Sequence, residues 1–535
     1  MEAPGSTGAV TLASIVEPLT VSRAAPVRRT ATVLGALGAL VSLLGSWIPS
    51  LWGDEAASIM SAERPLPSLF VMLGNVDAVH GTYYVFLHFW IDAFGASPLS
   101  VRLPSALAVG AAVFGVVLLA ERLASHRVAV LAGLVCVLLP RVTYMGEEAR
   151  SFALSAACAV WLTVLLVRAL SRRDGRLIPW VPYALLLAAS AYIFLFTMLI
   201  VVAHAVIILT VTRSWRVLRA WGAAVLAAVV VAGPLIYWAF RERKQISYLQ
   251  SADAVNAQSL GVDQWFGNLG LAILAWGLIA VGVVVAVRAL LRARDRRRGE
   301  IADAMRSSRG RATAFRASGI LTAREPGLPS LFVVAAAWTF LPMLVLLAGD
   351  LVSKMYTVRY LSFAAPAVAL LIGLVLALPA RRWVSVVGLV AVLAASVPSY
   401  VYQRTPFSKN ESDWAQIAET VKTHAKAGDA VVFDESVRPS RRPRLALHTY
   451  PAAFAGLNDV TLAVPFRKNT WWWDKVHAVG TVAGKFRDVN RVWAVEYRLP
   501  DQPADTYGMS ELRSLGYTVV AEYPGHRSVV YELTR

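Results

Sequence analysis

Four short polar groups stand out against long apolar surroundings. The first is Trp52-Gly53-Asp54-Glu55, two adjacent carboxylates directly after an apolar run. One of them can cap a helix that begins at Ala56. One can equally act as a base, since partial desolvation at a membrane surface raises a carboxyl pKa toward working pH. The second group is Arg141, Glu147, Glu148 and Arg150, with Glu147 and Arg150 spaced for an i,i+3 ion pair. Arg241, Arg243, Lys244, Gln245 and Tyr248 form the third, and Lys354, Tyr356, Arg359 and Tyr360 the fourth. Cations in such places either bind an anionic head group or snorkel to the bilayer surface. His80-Gly81-Thr82-Tyr83-Tyr84 adds a lone histidine with no second one at ligand spacing, so no metal is expected. There is no P-loop, G-x-S-x-G or H-E-x-x-H pattern, which argues against ATP-driven transport, serine hydrolysis and zinc peptidase chemistry.

The elements that must position these groups are membrane spans. Of 535 residues, 57% are hydrophobic and 16% charged, where a soluble domain carries about 25% charged residues. The mean hydropathy is +0.55. Apolar runs near 31–48, 103–120, 128–140, 152–167, 178–191, 194–211, 220–240, 269–287, 330–348, 360–379 and 383–400 predict a polytopic α-helical membrane protein with about eleven transmembrane helices. The net charge of +18 resides mostly in tracts between those runs; it speaks for a lipid bilayer and against nucleic acid. Cys136 and Cys158 both lie in apolar runs and read as buried hydrophobes.

Arginines crowd alternate loops: Arg122 and Arg127, Arg168 to Arg176, Arg213 to Arg219, eleven between Arg288 and Arg324, and Arg381 with Arg382. The positive-inside bias makes that face cytoplasmic and puts the N-terminus there, in the plasma membrane. The four polar groups then share the extracytoplasmic face, provided that Tyr83–Phe94 lies in the interface rather than crossing. This divides the chain into a cytoplasmic tail (1–30), a membrane domain (31–400) and an extracytoplasmic α/β domain (401–535). The membrane domain includes a first outer loop (49–102) and a basic cytoplasmic loop (288–328). In the α/β domain, Ala430–Phe433, Val492–Val495, Thr518–Ala521 and Ser528–Leu533 alternate with period two, and Asp413–Ala427 reads as a helix. Trp471-Trp472-Trp473 can stack on sugars, dip into head groups or fill a core.

These groups, in this order, resemble the GT-C class of membrane glycosyltransferases, in the branch of protein O-mannosyltransferases and the lipid A aminoarabinose transferase. The likeness runs from about residue 31 to 400. It rests on Asp54-Glu55, on His80-Gly-Thr-Tyr-Tyr where such proteins often have His-Pro-Pro-Leu-Tyr-Tyr, on Ser100-Val-Arg-Leu-Pro-Ser-Ala, on Glu147-Glu-Ala-Arg-Ser-Phe-Ala-Leu and on Val358-Arg-Tyr-Leu. Gly81-Thr82 replaces two prolines. The C-terminal domain is similar to tails of actinobacterial members that use decaprenyl-phosphate sugars. The resemblance implies an inverting transferase that moves a sugar, mannose first, from a polyprenyl-phosphate donor to an envelope glycolipid or glycan acceptor, with no cofactor. It makes Asp54 the base, with Glu55 beside it in the catalytic pair. Arg359, Lys244, Arg241 and Arg150 become the donor phosphate ligands, and Glu147, Glu148, His80, Tyr83 and Tyr360 supporting or sugar-binding groups. An arabinofuranosyl donor is the alternative within the class. A lipid-linked sugar transporter is the alternative outside it, and would need midplane polar residues and an internal repeat. Oligomeric state is not legible.

Overall fold

A helix stands at each of the eleven apolar runs. The computed structural model describes residues 24–172, 176–243, 255–303, 324, 325, 327–498 and 507–535. In chain order the membrane domain contains α1 (Ala24–Leu43), the short α2 (Gly53–Ala62), α3 (Leu66–Leu73) and α4 (Gly81–Phe94), then α5 (Pro98–Leu123), α6 (His126–Leu138), α7 (Pro140–Gly146) and α8 (Phe152–Arg172). It continues through α9 (Val181–Ile193), α10 (Ile200–Val211), α11 (Trp215–Arg241), α12 (Leu269–Asp303), α13 (Leu331–Val352), α14 (Ala365–Leu376) and α15 (Arg382–Gln403).

Among the described residues, α5, α8, α11, α12, α13 and α15 are long and apolar enough to cross a bilayer. α6 with α7, bent by 60° between them, makes a seventh span if the pair is counted as one. The chain is therefore a multi-pass membrane protein. The sequence count of eleven also includes α1 and three shorter apolar segments, Ile178–Ile193, Leu195–Val211 and Ser362–Leu376. Length and composition alone support six or seven spans. The shorter three each begin with a 3₁₀ turn, which extends them slightly. Apolar side chains exposed on α11 and α15, such as Leu226, Val230, Val386 and Val390, suit contact with lipid.

Small residues let the spans approach closely. A Cβ on Gly35 of α1 would lie 2.9 Å from the Gly110 carbonyl of α5, and the reverse contact is equally short. Polar side chains join others: buried His204 of α10 hydrogen-bonds the Tyr183 hydroxyl of α9 at 2.9 Å and the Thr163 hydroxyl of α8 at 3.1 Å. Ser97 caps α5 by accepting from the Ser100 amide, with Pro98 in the first turn. That start places Arg102 where it donates to Glu55 twice, Nε to Oε1 at 2.8 Å and a terminal nitrogen to Oε2 at 2.6 Å, with both side chains fully buried.

The C-terminal domain carries α16 (Trp414–His424), β1 (Ala430–Phe433), α17 (Leu445–Thr449), β2 (Asn458–Asp459), β3 (Leu462–Val464), β4 (Lys475–Val476), β5 (Arg491–Tyr497), α18 (Met509–Ser514), β6 (Thr518–Pro524) and β7 (Ser528–Thr534). The main sheet has the order β2-β1-β5-β7-β6, with β1 parallel to β2 and to β5 and the remaining pairs antiparallel. Each period-two run read from the sequence lies in a strand. One face packs Trp414, Ile417 and Val421 on Phe433, Trp493 and Val530, and that core continues into Ala56 and Met60 of α2. The other face packs Val479, Phe486 and Leu512. The domain is tied down through Arg64, which is buried and donates to the carbonyls of Asn469 at 2.7 Å and of Trp471. Of the three tryptophans, Trp472 and Trp473 pack against cores, whereas Trp471 is 51% exposed.

Removing one partner of a buried ion pair leaves the other charged and unpaired. Arg102→Met is expected to destabilise the protein by about 3–5 kcal/mol, read as a fall in thermal midpoint in detergent. Arg102→Met with Glu55→Met should recover part of that loss. A double variant no better than the worse single one would mean that the pair is not what holds α2 to α5.

Candidate active site

The site is built on the first turn of α2. Trp52 precedes it in extended conformation, and the helix begins at Gly53 rather than Ala56, with no side chain capping it. Asp54 is therefore not the cap that its position before Ala56 suggested. Adjacent helical residues diverge by about 100°, so the two carboxylates face different surroundings. Glu55 turns inward to Arg102 and also accepts the Ala149 amide at 2.9 Å. It is wholly buried, which suits a positioning group rather than one that meets substrate.

Asp54 turns the other way, with its side chain 30% exposed, and its Oδ2 lies 2.6 Å from an Arg359 guanidinium nitrogen. Residues 305 positions apart in the chain thus meet. Arg359 also lies 3.6 Å from Glu148 Oε1, and its guanidinium stands 5.0 Å above the Trp52 ring. Burial pushes the Asp54 carboxyl up, but Arg359 and Arg150 outweigh it and hold the group below its ordinary range. The same carboxylates raise Arg359 further against the effect of burial, so the pair is ionised. Burial raises Glu148.

Arg150 supports Asp54 from behind. It donates toward the Ser58 hydroxyl at 3.3 Å, lies 3.5 Å from the Asp54 carbonyl, and is 3.0 Å from His80 Nε2. Burial and the neighbouring Arg150 lower the His80 pKa to about 4. The ring is therefore neutral near pH 7, and Nε2 serves as an acceptor for Arg150. Tyr84 hydrogen-bonds Asp77 and touches Arg150, whereas Tyr83 is buried in the core beneath α2.

The remaining expectations fare differently. Glu147 does not pair with Arg150. The α7 helix ends at Gly146, which removes the helical spacing, and Glu147 instead pairs with Lys409 at 3.2 Å and Arg404 at 3.1 Å. Lys409 sits 3.4 Å above the Tyr144 ring, fully buried in the linker to the C-terminal domain. Arg241 is exposed, lies over the Tyr237 and Trp238 rings, and is not among the residues that line the cavity beside Arg359. Lys244, with Gln245 and Tyr248, falls outside the described residues. Tyr360 stacks on Phe196, with ring centroids 4.7 Å apart. Lys354 pairs with Asp350, and the Tyr356 hydroxyl donates to Gln264.

A cavity of about 540 Å³ opens beside the pair, with walls that include Trp52, Arg141, Tyr144, Asn268, Arg359, Ser399, Tyr402 and Asn410. Its size suits a sugar phosphate. Arg141 brings a second cation to it. Nε and a terminal nitrogen of Arg141 donate to the carbonyls of Gln264 at 2.8 Å and Asp263 at 2.6 Å, and no carboxylate among the described residues lies within ion-pair distance of it. The cavity wall thus carries two guanidiniums, those of Arg141 and Arg359, and one acidic residue, Asp263, with the Asp54 carboxylate paired to Arg359. Among the described residues no three His, Cys, Asp or Glu side chains come together as a metal site would require.

The family model described as dolichyl-phosphate-mannose-protein mannosyltransferase matches residues 82–238. Two solved structures of ArnT from Cupriavidus metallidurans align over 94% of this chain and 97% of their own at 14% identity. The apo state gives a TM-score of 0.55, and the state bound to undecaprenyl phosphate gives 0.50. The arabinofuranosyltransferase AftD from Mycobacteria aligns over 95% of this chain and 40% of its own, at 15% identity and a TM-score of 0.46. No curated protein shows significant similarity to the chain. The chain has the GT-C fold, with a mixed-sheet domain appended at its C-terminus.

Because the folded state holds His80 neutral down to about pH 4, while an unfolded histidine protonates near 6.5, the unfolded chain binds more protons between those values. The stability that His80 contributes is complete above 6.5 and is lost as pH falls through 4. The melting temperature of His80→Gln should therefore vary less than that of the wild type between pH 7 and 4.5. Parallel profiles would show that His80 is protonated normally in the fold.

Proposed function

We propose that this protein is an inverting glycosyltransferase that moves mannose from a polyprenyl-phosphate donor to a glycolipid or glycan acceptor of the cell envelope. The observation that carries the reading is the ion pair of Asp54 with Arg359, a residue that lines the 540 Å³ cavity. A GT-C fold, the undecaprenyl phosphate bound by one similar structure, and the mannosyl-phosphate-lipid description of the matching family model support it.

In this reading the donor's phosphate lies against Arg359 and Arg141. Asp54 takes the proton from an acceptor hydroxyl as its oxygen attacks the anomeric carbon opposite the phosphate. The new glycosidic bond forms while the anomeric carbon–oxygen bond to phosphate breaks, inverting configuration. The bonding pair stays on the phosphate oxygen, where the two guanidiniums stabilise the growing charge in a water-poor site. Glu55 and Arg150 position Asp54. Glu148 and Tyr360 border Arg359, and Glu147 fixes the linker. Arg241 has no place in this donor site, and Arg141 takes the role that its sequence neighbour Arg150 was expected to fill.

The orientation belongs to the same proposal. Arg102 lies near the site, and Arg122 lies twenty residues along α5, about 30 Å away at 1.5 Å per residue. The arginine-rich loops and the site thus occupy opposite ends of the spans, which fits a cytoplasmic N-terminus and an extracytoplasmic C-terminal domain.

Two variants test the chemistry with purified protein and radiolabelled polyprenyl-phosphate mannose. Asp54→Asn should lower transfer by about 10²–10⁴-fold with unchanged melting behaviour, and unaltered turnover would remove the base. Arg359→Gln should weaken use of the donor, and normal kinetics would exclude its phosphate role. Arabinofuranosyl donor supplied in place of mannosyl donor decides the sugar: the proposal expects turnover with mannose only.

A further inference from the structure

The parallel part of the C-terminal sheet has a topological switch point. β1 lies between β2 and β5, parallel to both, so the chain leaves the carboxyl ends of β1 and β5 toward opposite sides. Ligands of such sheets bind in the crevice outside those ends. Here the crevice faces the membrane domain. The turn that follows β1 rests against α2 so closely that a Cβ on Gly53 would stand 2.4 Å from the Ser440 carbonyl. Only a glycine fits at that point, one residue before Asp54.

A small cavity lies in this seam, bordered by Trp52, Gly53, Asn410, Ser440, Arg441, Tyr497 and Arg527 together with two acids, Glu411 and Asp413. The donors outnumber the free acceptors. The guanidiniums of Arg441 and Arg527 have no ion pair or hydrogen bond among the described residues, and both are half-exposed. The Tyr497 hydroxyl is buried and has no hydrogen-bond partner among the described residues, and the residue is 8% exposed. The first turn of α2 is uncapped, and its amides add positive potential. The acids are engaged elsewhere: Glu411 pairs with His526 at 2.7 Å, and Asp413 accepts the Arg527 amide at 2.7 Å and the Ser528 hydroxyl at 3.1 Å. The interior space is about 20 Å³, room for about one water-sized group, so a ligand oxygen enters while the remainder stays at the mouth.

We propose that this seam binds a phosphate or carboxylate group carried by the acceptor glycan, so that the acceptor of this enzyme is anionic. The assignment rests on the transferase reading, and it places the acidic substituent on the C-terminal domain while the attacked hydroxyl reaches Asp54 across Gly53. The donor cavity and the seam share the walls Trp52 and Asn410, so the two substrates would meet on either side of Trp52, two residues before Asp54. Arg441 and Arg527 are specificity-determining groups here, because they touch the acceptor away from the reacting atoms.

The test is calorimetric titration of the full-length protein in detergent with mannose 6-phosphate, glucuronic acid and mannose, next to a titration with polyprenyl phosphate. Binding of either acid, at least tenfold tighter than mannose and at least tenfold weakened in Arg441→Gln or Arg527→Gln, is the expected result. The stronger of the two acids identifies the substituent. Lysine at the same positions should retain most of the affinity, which a merely structural role would not predict. Equal binding of all three sugars, or acid binding untouched by both glutamine variants, overturns the proposal. Polyprenyl phosphate should bind the wild type and both variants alike. Its failure to bind the wild type would count against the transferase reading, while the acid titrations would still decide the seam.

Discussion

The buried ion pair between Arg102 and Glu55 is the constraint on which the site depends. It is bidentate, fully removed from solvent, and supplemented by the Ala149 amide on the same carboxylate. Arg102 also donates to the Pro49 carbonyl at 2.9 Å, so the ion pair gathers the stretch after the first span through Arg102, and the turn after α7 through Glu55. Once Glu55 is fixed inward, helical geometry turns Asp54 the other way, toward Arg359, which lines the cavity. Two adjacent acids that look equivalent in the chain thereby acquire different surroundings, one buried as an anchor and one partly exposed beside Arg359. Ser105 reinforces the arrangement by donating to the Glu148 carbonyl at 2.6 Å, which fixes the turn bearing Glu148 and Arg150.

Much of this was legible in the chain. Long apolar runs located the helices because a span must satisfy its own backbone and cover itself with carbon. Strands β1, β5, β6 and β7 announced themselves by alternation. The convergence of Asp54 and Arg359, 305 residues apart, was readable only through the order of motifs that resemble GT-C proteins, since no local pattern encodes a contact of that range. What the chain hid were partnerships decided by tertiary packing. Arg102 sits in a short motif with nothing to mark its charge as buried. Helical spacing pairs Glu147 with Arg150, but the helix stops at Gly146, before either residue, and the partners of Glu147, Arg404 and Lys409, come from beyond the last span. Arg141 stood in the same tract as Arg150, and only the cavity wall distinguishes the cation that faces open space from the one that holds His80 and the α2 backbone.

The C-terminal domain is bound to the site by more than a tether. Ala56 and Met60 of α2 belong to its hydrophobic core, Arg64 grips the chain around the tryptophans, and buried Lys409 in the linker pairs with Glu147, the residue next to Glu148. Burial of such cations is costly unless each finds its acid or its carbonyls, so displacing the domain would strand charges on both sides of the seam. The helix that carries Asp54 is thus held from the membrane side by Arg102 and from the domain side by apolar contacts. A motion of the domain would reach Asp54 through α2 itself.

That placement bears on the order in which substrates act. In the free protein Arg359 is already satisfied by Asp54 and by nearby Glu148, which keeps the carboxylate ionised but weakly basic. The donor's phosphodiester reaching Arg359 through the cavity competes for the same guanidinium with a negative charge of its own. As Arg359 shifts toward the phosphate, Asp54 loses its strongest neighbour while remaining partly buried. Desolvation, whose effect Arg359 had been outweighing, then raises its basicity. The donor would in this way prepare the base for the acceptor hydroxyl, and an acceptor arriving first would meet a carboxylate already held by an arginine. The same pair that keeps two buried charges stable at rest therefore makes the proposed chemistry conditional on the donor being present.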